Sequence, residues 1–192
     1  MVTRITYPDG FQALYNYDAL DRVSKVKNST YNYATVSYFK DDRLKSVGYG
    51  NNVNTTYTYD LRGMATRILT RNGASKILDL NYTYDGVGNV LSINSETYSY
   101  DGLDRLASSN GPWGTITYTY DAAGNRMKKS EAGPTTYYSY GGYNKLTQHV
   151  TGSTTVTYTY DNNGNTVGKS DGSNSWSYTY DYLNRLTKVV KN

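Results

Sequence analysis

The stretch Thr115-Ile116-Thr117-Tyr118-Thr119-Tyr120-Asp121-Ala122-Ala123-Gly124-Asn125-Arg126 decides the fold. Its first half alternates threonine with an apolar or aromatic residue, the period-2 pattern of a strand, and both residue types suit a pleated surface. Successive side chains point to opposite faces, so Tyr118 and Tyr120 share one face while Thr117 and Thr119 share the other. The second half reads as a turn. Asp121 opens it with a carboxylate that can bond the backbone just beyond, as an Asx-turn. Gly124 closes it where a type I turn with a G1 bulge calls for positive φ.

Outward from this stretch the same pattern recurs along the chain. The tetrapeptide Tyr-x-Tyr-Asp begins at Tyr15, Tyr57, Tyr82, Tyr98, Tyr118, Tyr158 and Tyr178, with relaxed copies at Tyr138-Ser139-Tyr140-Gly141 and around Tyr38. The second tyrosines are Tyr17, Tyr38, Tyr59, Tyr84, Tyr100, Tyr120, Tyr140, Tyr160 and Tyr180, spaced by 20 residues from Tyr100 onward. Earlier copies drift, which predicts insertions and deletions in loops around a constant unit. Four residues after these tyrosines stand Asp21, Asp42, Gly63, Gly88, Asp104, Gly124, Asn144, Gly164 and Asn184. All nine are of the types that tolerate a left-handed backbone. The recurrent Asp18, Asp60, Asp85, Asp101, Asp121, Asp161 and Asp181 mark the turn openings.

A second strand follows each turn, as in Arg105-Leu106-Ala107, Lys145-Leu146-Thr147 and Arg185-Leu186-Thr187-Lys188-Val189. It runs into a looser turn rich in breakers, such as Asn72-Gly73, Asn110-Gly111-Pro112 and Gly152-Ser153. The expected fold is all-β: tandem hairpins of about 20 residues forming a continuous antiparallel meandering sheet, a shell wall or solenoid-like strip. Residues 1–192 read as a single array of about nine repeats, an excerpt or a short member of a larger repeat family. Cationic and aliphatic side chains of the second strand should interleave with the tyrosine rings.

Composition narrows the function classes. The 192 residues include 24 tyrosines but only 2 phenylalanines and 2 tryptophans, and hydrophobic residues make up 37%. Tyrosine carries an apolar ring with a hydroxyl that must be hydrated or paired, so a thin, partly wet sheet is expected rather than a thick dry core. Mean hydropathy of −0.72 agrees. With 0 cysteines there is no disulfide framework and no thiolate metal site. The net charge of +4 is scattered singly, which speaks against a nucleic-acid tail or membrane patch. No apolar run is long enough for a transmembrane helix or a signal-peptide core, and Met1 leads at once into a strand-like Val2-Thr3-Arg4-Ile5. The expected location is secreted or cell-surface and bacterial.

No catalytic, cofactor-binding or metal-binding residues are expected. His149 is the only histidine and reads as a solvent-facing strand residue. The aspartates sit where the turn needs Asx chemistry, and calcium-loop spacing is missing. Gly86-Val87-Gly88 has no helix after it to cradle a phosphate.

The pattern Tyr-x-Tyr-Asp-x-x-Gly-Asn/Arg-Leu resembles the YD repeat, also called the RHS repeat. Tyr98 to Leu106 and Tyr118 to Arg126 are close matches, and Thr3-Arg4-Ile5-Thr6-Tyr7-Pro8-Asp9-Gly10 is similar to the family's inter-repeat linker. The resemblance covers nearly the whole chain. The family includes bacterial RHS toxins, components of insecticidal toxin complexes, wall-associated proteins and teneurins. It implies a spiralling β-sheet that closes into a hollow shell around a toxic segment. An Asp-Pro-x-Gly-Leu motif, the family's self-cleavage signature, is absent from these 192 residues.

A structural wall is therefore the expected function, with partners supplied by flanking repeats or by self-association through open sheet edges. The alternative is a cell-surface or wall glycan-binding module using the tyrosine face. Trp113 and Trp176 stand singly rather than in the pairs usual for such modules.

Overall fold

Alternating threonine and tyrosine cut by a turn signal every few residues produces strands throughout. The computed structural model describes residues 1–192 and resolves into two units, Met1–Ser95 and Glu96–Asn192. The first holds β1 (Arg4–Thr6), β2 (Gln12–Tyr17), β3 (Val23–Lys27), β4 (Asn32–Tyr38), β5 (Leu44–Tyr49), β6 (Val53–Tyr59), β7 (Ala65–Asn72), β8 (Ser75–Tyr84) and β9 (Val90–Ile93). The second holds β10 (Glu96–Tyr100), β11 (Leu106–Gly111), β12 (Gly114–Tyr120), β13 (Arg126–Ser130), β14 (Thr136–Tyr140), β15 (Leu146–Thr151), β16 (Thr154–Tyr160), β17 (Thr166–Ser170), β18 (Ser175–Tyr180) and β19 (Leu186–Lys191). The one helical element is a 3-10 turn at Gly142–Asn144. In each unit every strand pairs antiparallel with its neighbours in sequence, giving the all-β meander.

Two backbone features repeat without exception. The ladder shifts register just before each of the nine second tyrosines, from Asn16/Tyr17 to Thr179/Tyr180. Each of the nine turn-closing residues has positive φ, from 56° at Asn144 to 105° at Gly88. The shift and the left-handed residue are the two halves of a G1 bulge.

Between repeats the register is equally constant. The residue eight places after one second tyrosine faces the residue three places before the next. The pairs are Lys25↔Thr35, Ser46↔Thr56, Arg67↔Asn81, Ser108↔Thr117, Lys128↔Tyr137, Gln148↔Thr157 and Gly168↔Ser177. The turns expected to be loose are in three cases shorter than the turns after the tyrosines. Asn72 pairs with Ser75, Gly111 with Gly114 and Thr151 with Thr154, so each loop is two residues long. Gly73 and Gly152 supply positive φ inside their loops, and Gly114 supplies it directly after Pro112-Trp113.

Burial follows the pleat. In β16, Val156 is buried and Tyr158 and Tyr160 half-buried, while Thr155, Thr157 and Thr159 are exposed. Strands pack only on their sequence neighbours within each unit, which makes the sheet one layer thick. Only Ala13 and Val156 are buried among the apolar residues, and no large side chain is fully enclosed.

Candidate functional site

The chemistry of this chain lies in the joint between consecutive repeats. Tyr17, Tyr38, Tyr59 and Tyr84 in the first unit and Tyr120, Tyr140, Tyr160 and Tyr180 in the second stand on the half-buried face beside a bulge, and each phenol crosses to the preceding part of the sheet. There it donates to a backbone carbonyl. Tyr38 reaches Val23 at 3.0 Å, Tyr59 reaches Leu44 at 2.9 Å and Tyr84 reaches Ala65 at 2.7 Å. Tyr120, Tyr140, Tyr160 and Tyr180 reach Leu106, Arg126, Leu146 and Thr166 at 2.8, 3.1, 2.7 and 3.0 Å. In all seven the acceptor lies six residues after the previous second tyrosine. Tyr17 donates likewise to Val2 at 2.6 Å. Burial pushes the Tyr84 and Tyr140 phenols up, which keeps them protonated donors.

The aspartate after the tyrosine clamps the turn from both sides. Asp18 Oδ1 accepts from the backbone N–H of Leu20 and of Arg22, and Asp101 Oδ1 does the same for Leu103 and Arg105. Asp181 Oδ1 takes Leu183 and Arg185. The other oxygen takes the side chain five places after the tyrosine: Arg22, Arg105 and Arg185, or Asn89, Asn125 and Asn165. The Arg22 guanidinium holds the Asp18 carboxyl below its usual range, as the side-chain amides of Asn125 and Asn165 do for Asp121 and Asp161. At Asp85 and Asp101 partial burial opposes the shift, but their hydrogen bonds outweigh it. Asp60 and Asp181 are lowered chiefly by the backbone N–H groups of Met64 and Arg185.

Where the residue five places after the tyrosine is arginine, it completes the joint. Arg22 lies over the Tyr38 ring at 4.5 Å, Arg43 over Tyr59 at 4.8 Å and Arg105 over Tyr120 at 4.7 Å. Each also donates Nη1 to the carbonyl just past that tyrosine, at Phe39, Asp60 and Asp121. One arginine thus ties its own turn to the ring and backbone of the next repeat. Where asparagine takes its place, Asn125 and Asn165 reach the Asn144 and Asn184 side chains of the following turns.

Two repeats lack the aspartate. At Phe39 the ring meets Tyr59 edge-on at 5.9 Å, and Arg43 pairs with Asp41 instead. At Gly141 there is no clamp, and the turn becomes the 3-10 segment with Tyr143 and Asn144 both at positive φ.

His149 departs from expectation. It is half-buried on the tyrosine face, 6.0 Å from the Tyr138 ring and 5.9 Å from that of Tyr158, rather than solvent-facing. Its pairing across from Val156 sets it on that face. Burial, with help from Lys169, pushes its pKa down. Trp176 lies under two ammonium groups, those of Lys169 at 4.7 Å and Lys191 at 5.7 Å. No cluster of three or more His, Cys, Asp or Glu side chains is placed to hold a metal ion. A surface depression of ≈ 320 Å³ is lined by Asn52, Asn54, Thr56, Leu69, Arg71 and Gly73. Its lining holds no carboxylate, imidazole or thiol to act as base or nucleophile. No helix is long and apolar enough to cross a membrane.

The expected repeat positions converge in this joint. The phenol-to-carbonyl bond was outside the sequence reading. Its signal is the constant step of six residues from each second tyrosine to the first residue of the strand after its turn, whose carbonyl the next phenol meets.

No family model matches this chain. It is 33% identical to toxin subunit YenC2 of Yersinia entomophaga, with 49% of this chain and 15% of that one covered. To toxin subunit YenC1 of the same organism it is 38% identical, with 33% and 9% covered. The chain therefore spans less than a sixth of either relative's length. Among solved structures, the crystal structure of TcdB2-TccC3-TEV matches with a TM-score of 0.62 at 19% identity, covering 94% of this chain and 14% of that one. A Photorhabdus luminescens Tc holotoxin pore gives 0.58 at 18% identity, covering 92% and 13%. In sequence this chain is similar to stretches of two toxin subunits, and in fold to part of a chain in the TcdB2-TccC3-TEV and Tc holotoxin pore structures.

Proposed function

We infer that the chain is a non-catalytic wall segment of a bacterial toxin complex, secreted or surface-borne, built as one YD-type repeat array over residues 1–192. The observation that carries this reading is the joint itself. Its chemistry is spent on tying each repeat to the next, through the phenol, the aspartate clamp and the cation over the ring. Such bonding suits a protein whose task is to extend a sheet one layer thick. Likeness to toxin subunits supports the toxin-complex setting. Flanking repeats or further copies are the natural partners, meeting the sheet at its open edges.

A wall whose repeats support one another gains stability with each repeat added. Chains lacking the last hairpin, or the last two, should therefore unfold at successively lower urea concentrations. Equal midpoints for all three lengths would refute the reading. Titration with cell-wall polysaccharides should leave the fluorescence of Trp113 and Trp176 unchanged. A saturable change would favour glycan binding instead.

A further inference from the structure

The residue opposite the first tyrosine of each repeat, or opposite Val36 in the relaxed copy, lies on the half-buried face. The two units fill that place differently. In the first unit it holds Val26, Val47, Ile68 and Ile93. In the second unit three successive repeats put Lys129, His149 and Lys169 there. Opposite the second tyrosine, Arg126 likewise stands where the repeats before and after it carry Leu106 and Leu146. Aliphatic side chains satisfy the sheet at both places, so the cations answer no need of the fold. Half-buried, they give up hydration that the sheet does not return.

These groups form a line across successive strands. Arg126 of β13 lies over the Tyr138 ring of β14 at 4.4 Å. That ring is 6.0 Å from His149 of β15, which is 5.9 Å from Tyr158 of β16. Lys169 of β17 stands opposite Tyr158 and lies over Trp176 of β18 at 4.7 Å. Lys129 pairs with Glu131 at 2.7 Å, whereas Arg126 and Lys169 form no ion pair. Arg126 Nε is buried and bonds to no protein atom. Asp171, on which Lys169 acts from further off, is already held by the backbone N–H groups of Ser173 and Asn174.

We propose that this line docks an acidic polypeptide segment, lying extended across β13 to β17 on the tyrosine face of the second unit. Complementary charge and spacing select that occupant. Neighbouring strands lie about 4.8 Å apart, so Arg126, His149 and Lys169, each two strands from the next, recur roughly every 10 Å. An extended chain advances about 3.3 Å per residue, so carboxylates three residues apart match that step. The residues between them lie over the Tyr138 and Tyr158 rings and the buried Val156, which favours an apolar side chain there. A phosphate backbone, with one charge about every 3.4 Å of axis per strand, is too dense for groups so spaced. The docking role goes beyond the wall reading and does not depend on it.

The test uses the full chain and a fluorescein-labelled peptide, Glu-Leu-Ser-Glu-Leu-Ser-Glu. Anisotropy should rise to saturation as the chain is added, and a peptide with glutamine for each glutamate should bind about tenfold more weakly or worse. Arg126→Leu and Lys169→Ile should each weaken binding about fivefold, the scale of an ion pair partly shielded from water. Each variant installs the residue type another repeat holds in that place, at Leu146 or Ile68, so the fold is retained. Their urea midpoints should stay level or rise, which a purely structural role for these cations does not predict. Lys128→Ser, on the opposite face at the place of Ser108, should leave affinity unchanged. Oligothymidylate of equal charge should not displace the peptide.

No saturable binding at millimolar peptide, equal affinity for the glutamine peptide, or unchanged affinity in both Arg126→Leu and Lys169→Ile would each overturn the proposal. So would displacement by oligothymidylate, or a fall in both urea midpoints that accounts for the lost binding. Failure of peptide capture leaves untouched the growth of stability with repeat number, which tests the wall reading by itself.

Discussion

The two ends of each repeat are built on different terms. At the aspartate end, nine turns share one left-handed position and nine ladders shift at the same place. At the return end, loops range from the two residues at Gly73-Ala74 to the longer segments between β3 and β4 and between β13 and β14. Strand lengths vary there too. β7 and β8 run 8 and 10 residues and take up the wide spacing between Tyr59 and Tyr84, while β9 has 4 residues. Constancy tracks side-chain chemistry. The aspartate end holds the carboxylate clamp, the phenol bond and the cation over the ring. The return end closes mostly through backbone bonds and short Asx contacts, which many loops can satisfy.

Acidification should break the constant end everywhere at once, and it is the largest effect expected. Asp18, Asp60, Asp85, Asp101, Asp121, Asp161 and Asp181 are all held below the usual carboxylate range in the folded chain. A depressed folded pKa contributes stability that is present above the unfolded value of about 3.9 and is lost as pH falls through the folded value. His149, also depressed, adds a smaller loss that begins below its ordinary value of about 6.5. Melting temperature should therefore decline gently from pH 7 to 5 and steeply below about pH 4. A profile flat down to pH 3 would show that the clamps add nothing.

Removing one clamp isolates the same chemistry locally. Asp121→Ala removes the carboxylate that accepts from the Asn125 backbone N–H at 2.8 Å and from its side-chain amide at 2.9 Å, leaving that amide only its bond to Asn144. A lower urea midpoint is expected, because two bonds to a charged acceptor are lost at once. Tyr160→Phe should cost less. It deletes one phenol donor and leaves the Leu146 carbonyl, 2.7 Å away, without that partner, about 1 kcal/mol. If Tyr160→Phe proved as damaging as Asp121→Ala, the phenol rather than the carboxylate would be the main tie.

Much of this architecture was legible in the residues. Gly, Asn and Asp at nine equivalent places gave the left-handed turns, because few other residue types adopt that backbone cheaply. Tyr-Thr alternation gave the strands and the half-buried face. The joint was only partly legible. Stacking of cationic side chains on rings was readable from residue type. The phenol-to-carbonyl bond was not, since it depends on the bulge that swings Tyr120 or Tyr160 across to the previous repeat. His149 misled for a related reason. A polar residue in a strand suggests the wet face, but register rather than polarity chose its side, and two tyrosine rings now cover it. The short return loops were misjudged because Gly111-Pro112 and Gly152-Ser153 read as loosening, whereas Gly114 and Gly152 at positive φ let the chain reverse in two residues.

The smallest effect expected comes from the variable end. Four added residues, Gly-Ser-Gly-Ser, between Gly73 and Ala74 lengthen a two-residue loop whose flanks, Asn72 and Ser75, are already paired. Loop-closure entropy grows slowly with length, about 0.6 kcal/mol for each doubling, so the cost should stay near 1 kcal/mol. The ladder below, from Arg71↔Lys76 to Arg67↔Asn81, has no reason to move, and the Tyr84 phenol keeps its carbonyl at Ala65. Amide exchange in β7 and β8 should then match the parent except at the tip. Protection lost as far down as Arg67 would mean that the return turn sets the register after all, and the contrast between the two ends would vanish.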